Sequence, residues 1–294
     1  MNNVSVIVLS YNTKDITDEC LKRVKEADPA EVIVVDNAST DGSPEMIKKK
    51  YPSFKLIVSK INTGFAGGNN IGMEASTKQH ISLLNSDAYI EKDTIYKALQ
   101  YFETHPDCAV LGCKLVLPNG RMQPSAGFLP TPLNTVLWIS GLARFPFFDK
   151  FARPIHPKDK TFFTKAREVE WVMGAFFILK KEVFEETHGF DGSIFMYGEE
   201  VEWCKRIRNK GFKTFYVPNF QITHLDKASS KFEVEKPLLN EIKGVVRFFK
   251  KHYAEKYPLI KAVLLISLCM RLMVFIILGK WQRVRAYKDA LGIL

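Results

Sequence analysis

The sequence is poor in the features that mark many protein classes. Its five cysteines, Cys20, Cys108, Cys113, Cys204 and Cys269, are scattered, odd in number and without paired metal-ligand spacing. That argues against a disulfide framework or a cysteine-built zinc site, and they read as small apolar residues in a reducing compartment. The first twelve residues lack the charged region, apolar stretch and cleavage site of a secretory signal. They read instead as a first core strand, so the folded part is expected in the cytoplasm. No internal repeat or low-complexity tract is present. The glycine-rich stretch Asn62 to Asn70 has neither the dinucleotide fingerprint nor a phosphate loop ending in Gly-Lys-Ser/Thr, which counts against dehydrogenases and ATPases. Acidic residues are in deficit, 32 against 42 basic, for a formal charge of +10. Partners carrying phosphate or anionic lipid are therefore favoured. A nucleic-acid role has only this net charge behind it, and none is expected.

What is present is the make-up of a folded protein: 46% hydrophobic and 25% charged over 294 residues, enough for one large domain or two modest ones. Short β-branched runs alternate with helical patterns through the first hundred residues. Val4 to Leu9, Glu31 to Val35, Lys55 to Val58 and Ile81 to Leu84 read as strands buried on both faces. Asp15 to Ala27, Pro44 to Tyr51, Asn70 to Ser76 and Lys92 to His105 read as helices. The alternation predicts an α/β fold with right-handed crossovers and a mostly parallel, doubly wound sheet. Phe128 to Arg167, with Pro130, Pro132, Pro146, Pro154 and Pro157, reads as a long irregular excursion. A strand is expected over Glu170 to Ile178, a helix over Glu199 to Asn209 and a strand over Lys213 to Val217. From Pro237 the chain reads as helical.

Ligands of such sheets sit at the carboxyl ends of the strands. Four polar clusters fall there: Ser10-Tyr11-Asn12, Asp36-Asn37, Asn62-Thr63-Gly64 and Asn85-Ser86-Asp87. At a strand tip, Asp36 suits a ribose or base N–H, or simply starts a turn. The Asn62 to Asn70 stretch, ahead of a helix, suits close approach of backbone to a diphosphate. A hard cation such as Mg²⁺ or Mn²⁺ needs few protein oxygens, and Asp87 at a strand end fits, with Asn85 pointing the same way. An ordinary strand-capping turn fits as well. Glu199, Glu200 and Glu202 open a helix that ends in basic residues, a polarity the helix dipole explains without function. Adjacent residues lie about 100° apart on a helix, so Glu199 and Glu200 do not aim at one proton. A base at this helix start is expected to be ionised at neutral pH. Spacing alone gives no reason to join His224 to Asp87.

Taken together, these motifs resemble a bacterial family 2 glycosyltransferase with the GT-A fold, of the rhamnosyltransferase-like subgroup. The resemblance spans roughly residues 4 to 253. It rests on Val8 to Asn12, Val34 to Gly42, Asn62 to Asn70, Leu84 to Asp87 and Trp171 to Ala175. Gly189 to Asp191, Phe195 to Arg206 and Ile222 to His224 complete it. It implies that Ser10, Tyr11, Asn12, Asp36, Asn62, Gly64, Asn69 and Asn70 hold the nucleotide of a diphosphate-sugar donor, with Asn85 beside them. It implies Asp87 and His224 as ligands of Mg²⁺ or Mn²⁺, and Trp171 and Gly174 as a border between donor sugar and acceptor. The acidic pair would supply the base. The family pattern, usually Glu-Asp-Val-Asp, maps its base onto Glu200, but both Asp positions are Glu here, at Glu200 and Glu202. Glu199 therefore stays open. dTDP-rhamnose is the donor the resemblance favours, with a UDP-sugar as the other candidate.

The implied domain plan is a catalytic domain over 1–235, with a nucleotide half at 1–118 and an acceptor half at 119–235, then a helical segment at 236–294. Leu259 to Gly279 is strongly apolar and is followed by Lys280, Arg283, Arg285 and Lys288. Arg271 and Lys261 count against a span, and a helix lying on the membrane with residues 259–288 in contact fits better. That places the chain at the cytoplasmic face of the inner membrane, with a glycan or lipid-linked glycan as acceptor. The alternatives are a catalytically silent sugar-nucleotide-binding protein and a sugar nucleotidyltransferase.

Overall fold

The structure, a computed structural model, describes residues 3–145, 147–148, 151–225 and 235–294. Pro146 lies outside them. The chain divides into two compact units, one of Met1–Ala126 with Lys158–Lys231, the other of Gly127–Pro157 with Phe232–Leu294.

In the first unit, β1 (Val4–Ser10), α1 (Lys14–Glu26), β2 (Glu31–Asp36), α2 (Ser43–Lys50), β3 (Lys55–Val58), α3 (Gly64–Glu74) and β4 (His80–Asn85) follow the alternation expected. Then come β5 (Ala88–Tyr89), α4 (Thr94–Thr104), β6 (Cys108–Val116), β7 (Met122–Gln123) and β8 (Ala126–Gly127). After the excursion the unit resumes with β9 (Arg167–Val169), β10 (Trp171–Val172), β11 (Phe176–Lys180), α6 (Lys181–Thr187), α7 (Glu199–Asn209) and β12 (Lys213–His224). The main sheet runs β3-β2-β1-β4-β11-β6-β12-β5. The first four strands of that order are mutually parallel, β11 is antiparallel to β4 and β6, and β12 is parallel to β6.

The period of two along β1 decides what covers each face. Val4, Val6 and Val8 pack with Cys20, Leu21 and Val24 of α1, Met46 and Ile47 of α2, and Ile95 and Ala98 of α4. Ile7 points the other way, to Ala66 and Met73 of α3, Val183 of α6 and Trp203, Cys204 and Ile207 of α7. Each large side chain fully buried in these layers contributes roughly 1.5–3 kcal/mol. Trp203, stacked on Phe177 at 5.2 Å, is the largest of them.

Four differences from the sequence reading have physical causes. The glycine-rich stretch does not precede a helix; from Gly64 it is one. A Cβ on Gly68 would stand 2.3 Å from Leu9 and one on Gly72 2.4 Å from Ile7, so these glycines let α3 settle onto β1. Second, β6 went unread because Gly112 and small residues interrupt its apolar run; Gly112 faces Val172, whose Cβ would lie 2.7 Å from an added methyl. Third, the strand expected over Glu170 to Ile178 is two, broken at Met173–Ala175. Fourth, β12 continues past Val217 to His224, through Pro218 and a register shift between Val217 and Gln221. Proline cannot donate to the ladder, and it appears at that irregularity.

The second unit is helical. The excursion holds α5 (Pro132–Ser140), started by Thr131 with Asn134 in a reciprocal capping box and Pro at its first turn. The tail forms α8 (Glu235–His252), α9 (Tyr257–Ile277) and α10 (Trp281–Leu291). Ile260, Leu264, Leu268 and Phe275 form the buried side of α9, and Phe275 meets Tyr287 of α10 at 5.2 Å. The stretch Ala254–Ile277 is long and apolar enough to cross a membrane by length and composition.

Candidate active site

Register brings the polar strand ends level. Ser10 pairs with Asp36, and Leu9 with Asn85, across the parallel ladder. Ser10 itself is buried, its hydroxyl 3.0 Å from that of Thr17. Tyr11 and Asn12 are exposed, and Asn12 has φ 51° and accepts Thr40 N–H at 2.8 Å. Asp36 is fully buried. One carboxylate oxygen accepts Ser39 N–H at 2.8 Å, and the other, Oδ2, has no partner among the described residues. An unpartnered buried oxygen at a strand tip is costly unless a ligand donor reaches it.

Asn37, named in the sequence only as part of a polar strand end, organises the loop above. Its amide donates to Asn62 Oδ1 at 2.8 Å and to the Gly64 carbonyl at 3.0 Å, and its oxygen accepts from Thr63 N–H at 2.9 Å. Gly64, at φ 74°, allows Phe65 N–H to reach the Phe195 carbonyl at 2.9 Å; a Cβ there would stand 2.4 Å from that oxygen. Asn69 is buried and donates to the Phe65 carbonyl, and Asn70 clamps Phe190 through both its N–H and its carbonyl. Both amides are engaged within the protein.

The Asn85 to Asp87 turn is tied on two sides. Ser86 Oγ lies 3.3 Å from Thr13 Oγ1, and Asn85 N–H donates to the Ala175 carbonyl at 3.2 Å. The strand pair β5–β12 then supplies what spacing could not. His224 stands opposite Ala88, and Leu225 N–H donates to the Asp87 carbonyl at 2.9 Å. Both side chains are buried, with His224 Nε2 3.3 Å from Asp87 Oδ1. On its far side, His224 Nδ1 lies 2.8 Å from Gln123 Oε1. That oxygen only accepts, so Nδ1 donates to it and Nε2 is the nitrogen turned toward the carboxylate. Between Nε2 and Oδ1 there is a place for a proton or, with Nε2 bare, for a cation held by both. Neighbouring ligands on a magnesium-like ion with bonds of about 2.1 Å are about 3 Å apart, so the pair fits such an ion. The described residues hold no cluster of three or more His, Cys, Asp or Glu suited to a metal, leaving further positions to phosphate and water. Gln123 was missed in the sequence, yet its signal was there: Pro118-Asn119-Gly120 turns the β6–β7 hairpin that carries it, with Gly120 at φ 76°.

The acidic pair is built differently. Gly198, at φ 92°, opens α7, so Glu199 and Glu200 are its first residues. Glu202 is not part of the pair; it is buried against Arg206 at 2.9 Å, which also reaches the Thr187 and Gly189 carbonyls. Each of Glu199 and Glu200 has one buried oxygen with no partner. Burial, and then the charge of Glu200, hold the Glu199 carboxyl well above the usual glutamate range. Burial also raises Glu200, against the pull of backbone N–H groups including Gly174 and Gly198. Desolvation thus works against the helix dipole at both glutamates, and at Glu199 the charge of its neighbour adds to it. Glu200 keeps part of its surface accessible, whereas Glu199 is 4% exposed. Trp171 is buried in the core at 3% exposure. Gly174 is packed under Phe65, whose ring carbon would stand 2.8 Å from an added Cβ.

The mostly parallel central sheet with helices on both faces is that of the GT-A fold. Solved structures share it: Pyrobaculum calidifontis mannosyltransferase PcManGT in complex with GDP-Man and Mn²⁺ aligns at TM-score 0.60 and 18% identity over 99% of this chain and 86% of that one. S. aureus TarS 1-349 in complex with UDP-GlcNAc aligns at 0.55 and 19%, over 99% and 80%. Residues 5–204 match the pattern of Glycosyl transferase family 2, and the chain belongs to that family. Among curated relatives, an N-acetylglucosaminyl-diphospho-decaprenol L-rhamnosyltransferase of Mycobacterium tuberculosis is 25% identical over 67% of this chain, and the match spans 66% of that protein's length. Rhamnosyltransferase WbbL of Escherichia coli is 21% identical over 84% of this chain and 93% of its own.

Proposed function

We propose that the chain transfers a hexose from a nucleotide-diphosphate donor to a hydroxyl of a glycan or lipid-linked glycan, with inversion at the anomeric carbon. The observation that carries this reading is the pairing of Asp87 with His224 on the strand edge that also bears the unpartnered oxygen of Asp36. Asp36 would take a donor from the nucleoside, and Asn12, Tyr11 and the Asn62 to Gly64 loop would border it. Asp87 and His224 would hold Mg²⁺ or Mn²⁺, which supplies charge neutralisation at the diphosphate when bound.

Glu200 is assigned as the base, being the member of the acidic pair with accessible surface. As the acceptor oxygen forms its bond to the anomeric carbon, the bond to the diphosphate breaks on the opposite face and the acceptor proton passes to Glu200. Glu199, the more strongly raised of the two, would hold the proton that lets its neighbour ionise. The relatives named as rhamnosyltransferases support dTDP-rhamnose as donor and cell-surface polysaccharide assembly as setting. The apolar α9 followed by Lys280, Arg283, Arg285 and Lys288 supports contact of 259–288 with the cytoplasmic face of a membrane. The test is a panel of nucleotide sugars against purified protein with and without Mn²⁺, read as thermal shift and donor turnover. Stabilisation by one nucleotide sugar only with metal is expected; no response to any of them sinks the reading.

A further inference from the structure

Arg271 and Arg283 share one aromatic ring. The Arg271 guanidinium carbon lies 4.7 Å from the centroid of Phe275, and that of Arg283 lies 5.8 Å from the same centroid. All three belong to the second unit. Arg271 is partly buried; among the described residues its Nε has no partner, and its one hydrogen bond, from Nη1 to the Ser140 carbonyl, is long at 3.5 Å. Gly141 makes room for this group, since a Cβ there would stand 2.1 Å from Nη1. A cation at the end of α5 suits that helix's dipole, which explains why Arg271 is tolerated. It does not explain the second guanidinium. Neither arginine forms an ion pair with a carboxylate among the described residues. Two like charges near one ring repel each other, and an anion bound to both would offset that repulsion.

The surroundings say which anion. Met270, Met273, Val274, Ile277 and Leu278 are exposed around the arginines in sequence, and Trp281, 67% exposed, starts α10. A free phosphate in water has no use for such a rim; a lipid phosphate has, since its acyl chains begin where its headgroup ends. We propose that Arg271 and Arg283, stacked on Phe275, form a site for the phosphodiester of an anionic phospholipid. The proposal rests on the membrane contact of residues 259–288 proposed above and deepens it: a general basic patch becomes a defined pair of planar guanidinium groups on one ring.

The test is vesicle flotation of the full chain with phosphatidylcholine alone or with phosphatidylglycerol mixed in. Wild type is expected to float only with phosphatidylglycerol. Arg271→Lys and Arg283→Lys keep the charge and lose the fork, and each is expected to weaken flotation about fivefold, the weight of one hydrogen bond lost. Arg285→Lys and Lys288→Arg are expected to float as wild type. Arg283 is exposed, so its variant tests the site even if Arg271→Lys disturbs α5. Arg283→Lys floating as well as wild type overturns the site and leaves membrane contact standing. Inorganic phosphate releasing the protein from vesicles at concentrations where chloride of equal ionic strength does not overturns the lipid assignment. If wild type floats on neither vesicle, the membrane reading fails. Trp281 fluorescence titrated with monomeric short-chain phosphatidylglycerol then decides the site alone: a response lost in Arg283→Lys upholds it, and none in wild type overturns it.

Discussion

Two carboxylate sites flank the turn at Met173–Ala175, and they are built on opposite plans. Asp87 faces His224, whose other ring nitrogen is held by Gln123, so a positive charge suits its environment. Glu199 faces another glutamate with buried oxygens unpartnered, so its environment calls for a proton. The same residue chemistry is thus set to two tasks by what stands opposite it. Substitutions at each site should separate the two.

The largest effect is expected for Glu200→Gln, which should lower kcat by about 10²–10⁴-fold while the donor still binds, measured by turnover beside a nucleotide-sugar titration. Asp87→Asn should instead abolish the Mn²⁺-dependent part of donor binding. Next, Gln123→Ala frees the far nitrogen of His224 and should raise the Mn²⁺ concentration for half-maximal activity about 10–100-fold with kcat at saturation little changed. Equal responses to the two ligand-side variants and to Glu200→Gln would erase the contrast.

Glu199→Gln sharpens it through pH. A carboxyl raised in the folded state contributes stability that is present below its unfolded pKa and is lost as pH rises through the folded value. The wild type should therefore lose melting temperature from the ordinary glutamate range upward, and the variant should lose less. The gap should widen with pH, at about 2–4 °C per kcal/mol. The acid limb of activity should stay in place, because glutamine stands in for the protonated Glu199 beside which Glu200 ionises. The smallest effect is expected for Asn70→Ala. It removes bonds of 2.8 and 2.9 Å to Phe190 and should cost about 1–3 kcal/mol, seen as a lower melting temperature with Mn²⁺ dependence intact.

Much of this was legible in the residues. The strands β1 to β4 and α7 were readable because period and strand ends carry the information locally, and the parallel order follows from the alternation. The joining of Asp87 to His224 was not, because it depends on a two-residue strand, β5, meeting the end of β12 beyond a proline. Gln123 was hidden for the same reason: a short hairpin gives its residues meaning only through their neighbours. The burial of the acidic pair was not readable, because helix polarity is visible in sequence and burial is not. The glycines of α3 looked like a phosphate cradle, since glycine spacing does not reveal whether the close approach is made by a ligand or by Leu9 and Ile7.

The turn between β10 and β11 has one further consequence. Ala175 holds Asn85 through its carbonyl, while the backbone N–H of Gly174 acts on Glu200. One short piece of main chain therefore sets the span between the cation side and the proton side of the site. Because that span is held by backbone, side chains can be exchanged around it without changing the reach of the reaction. A new sugar or acceptor would be accommodated in the walls, with the distance between the two working ends left as it is.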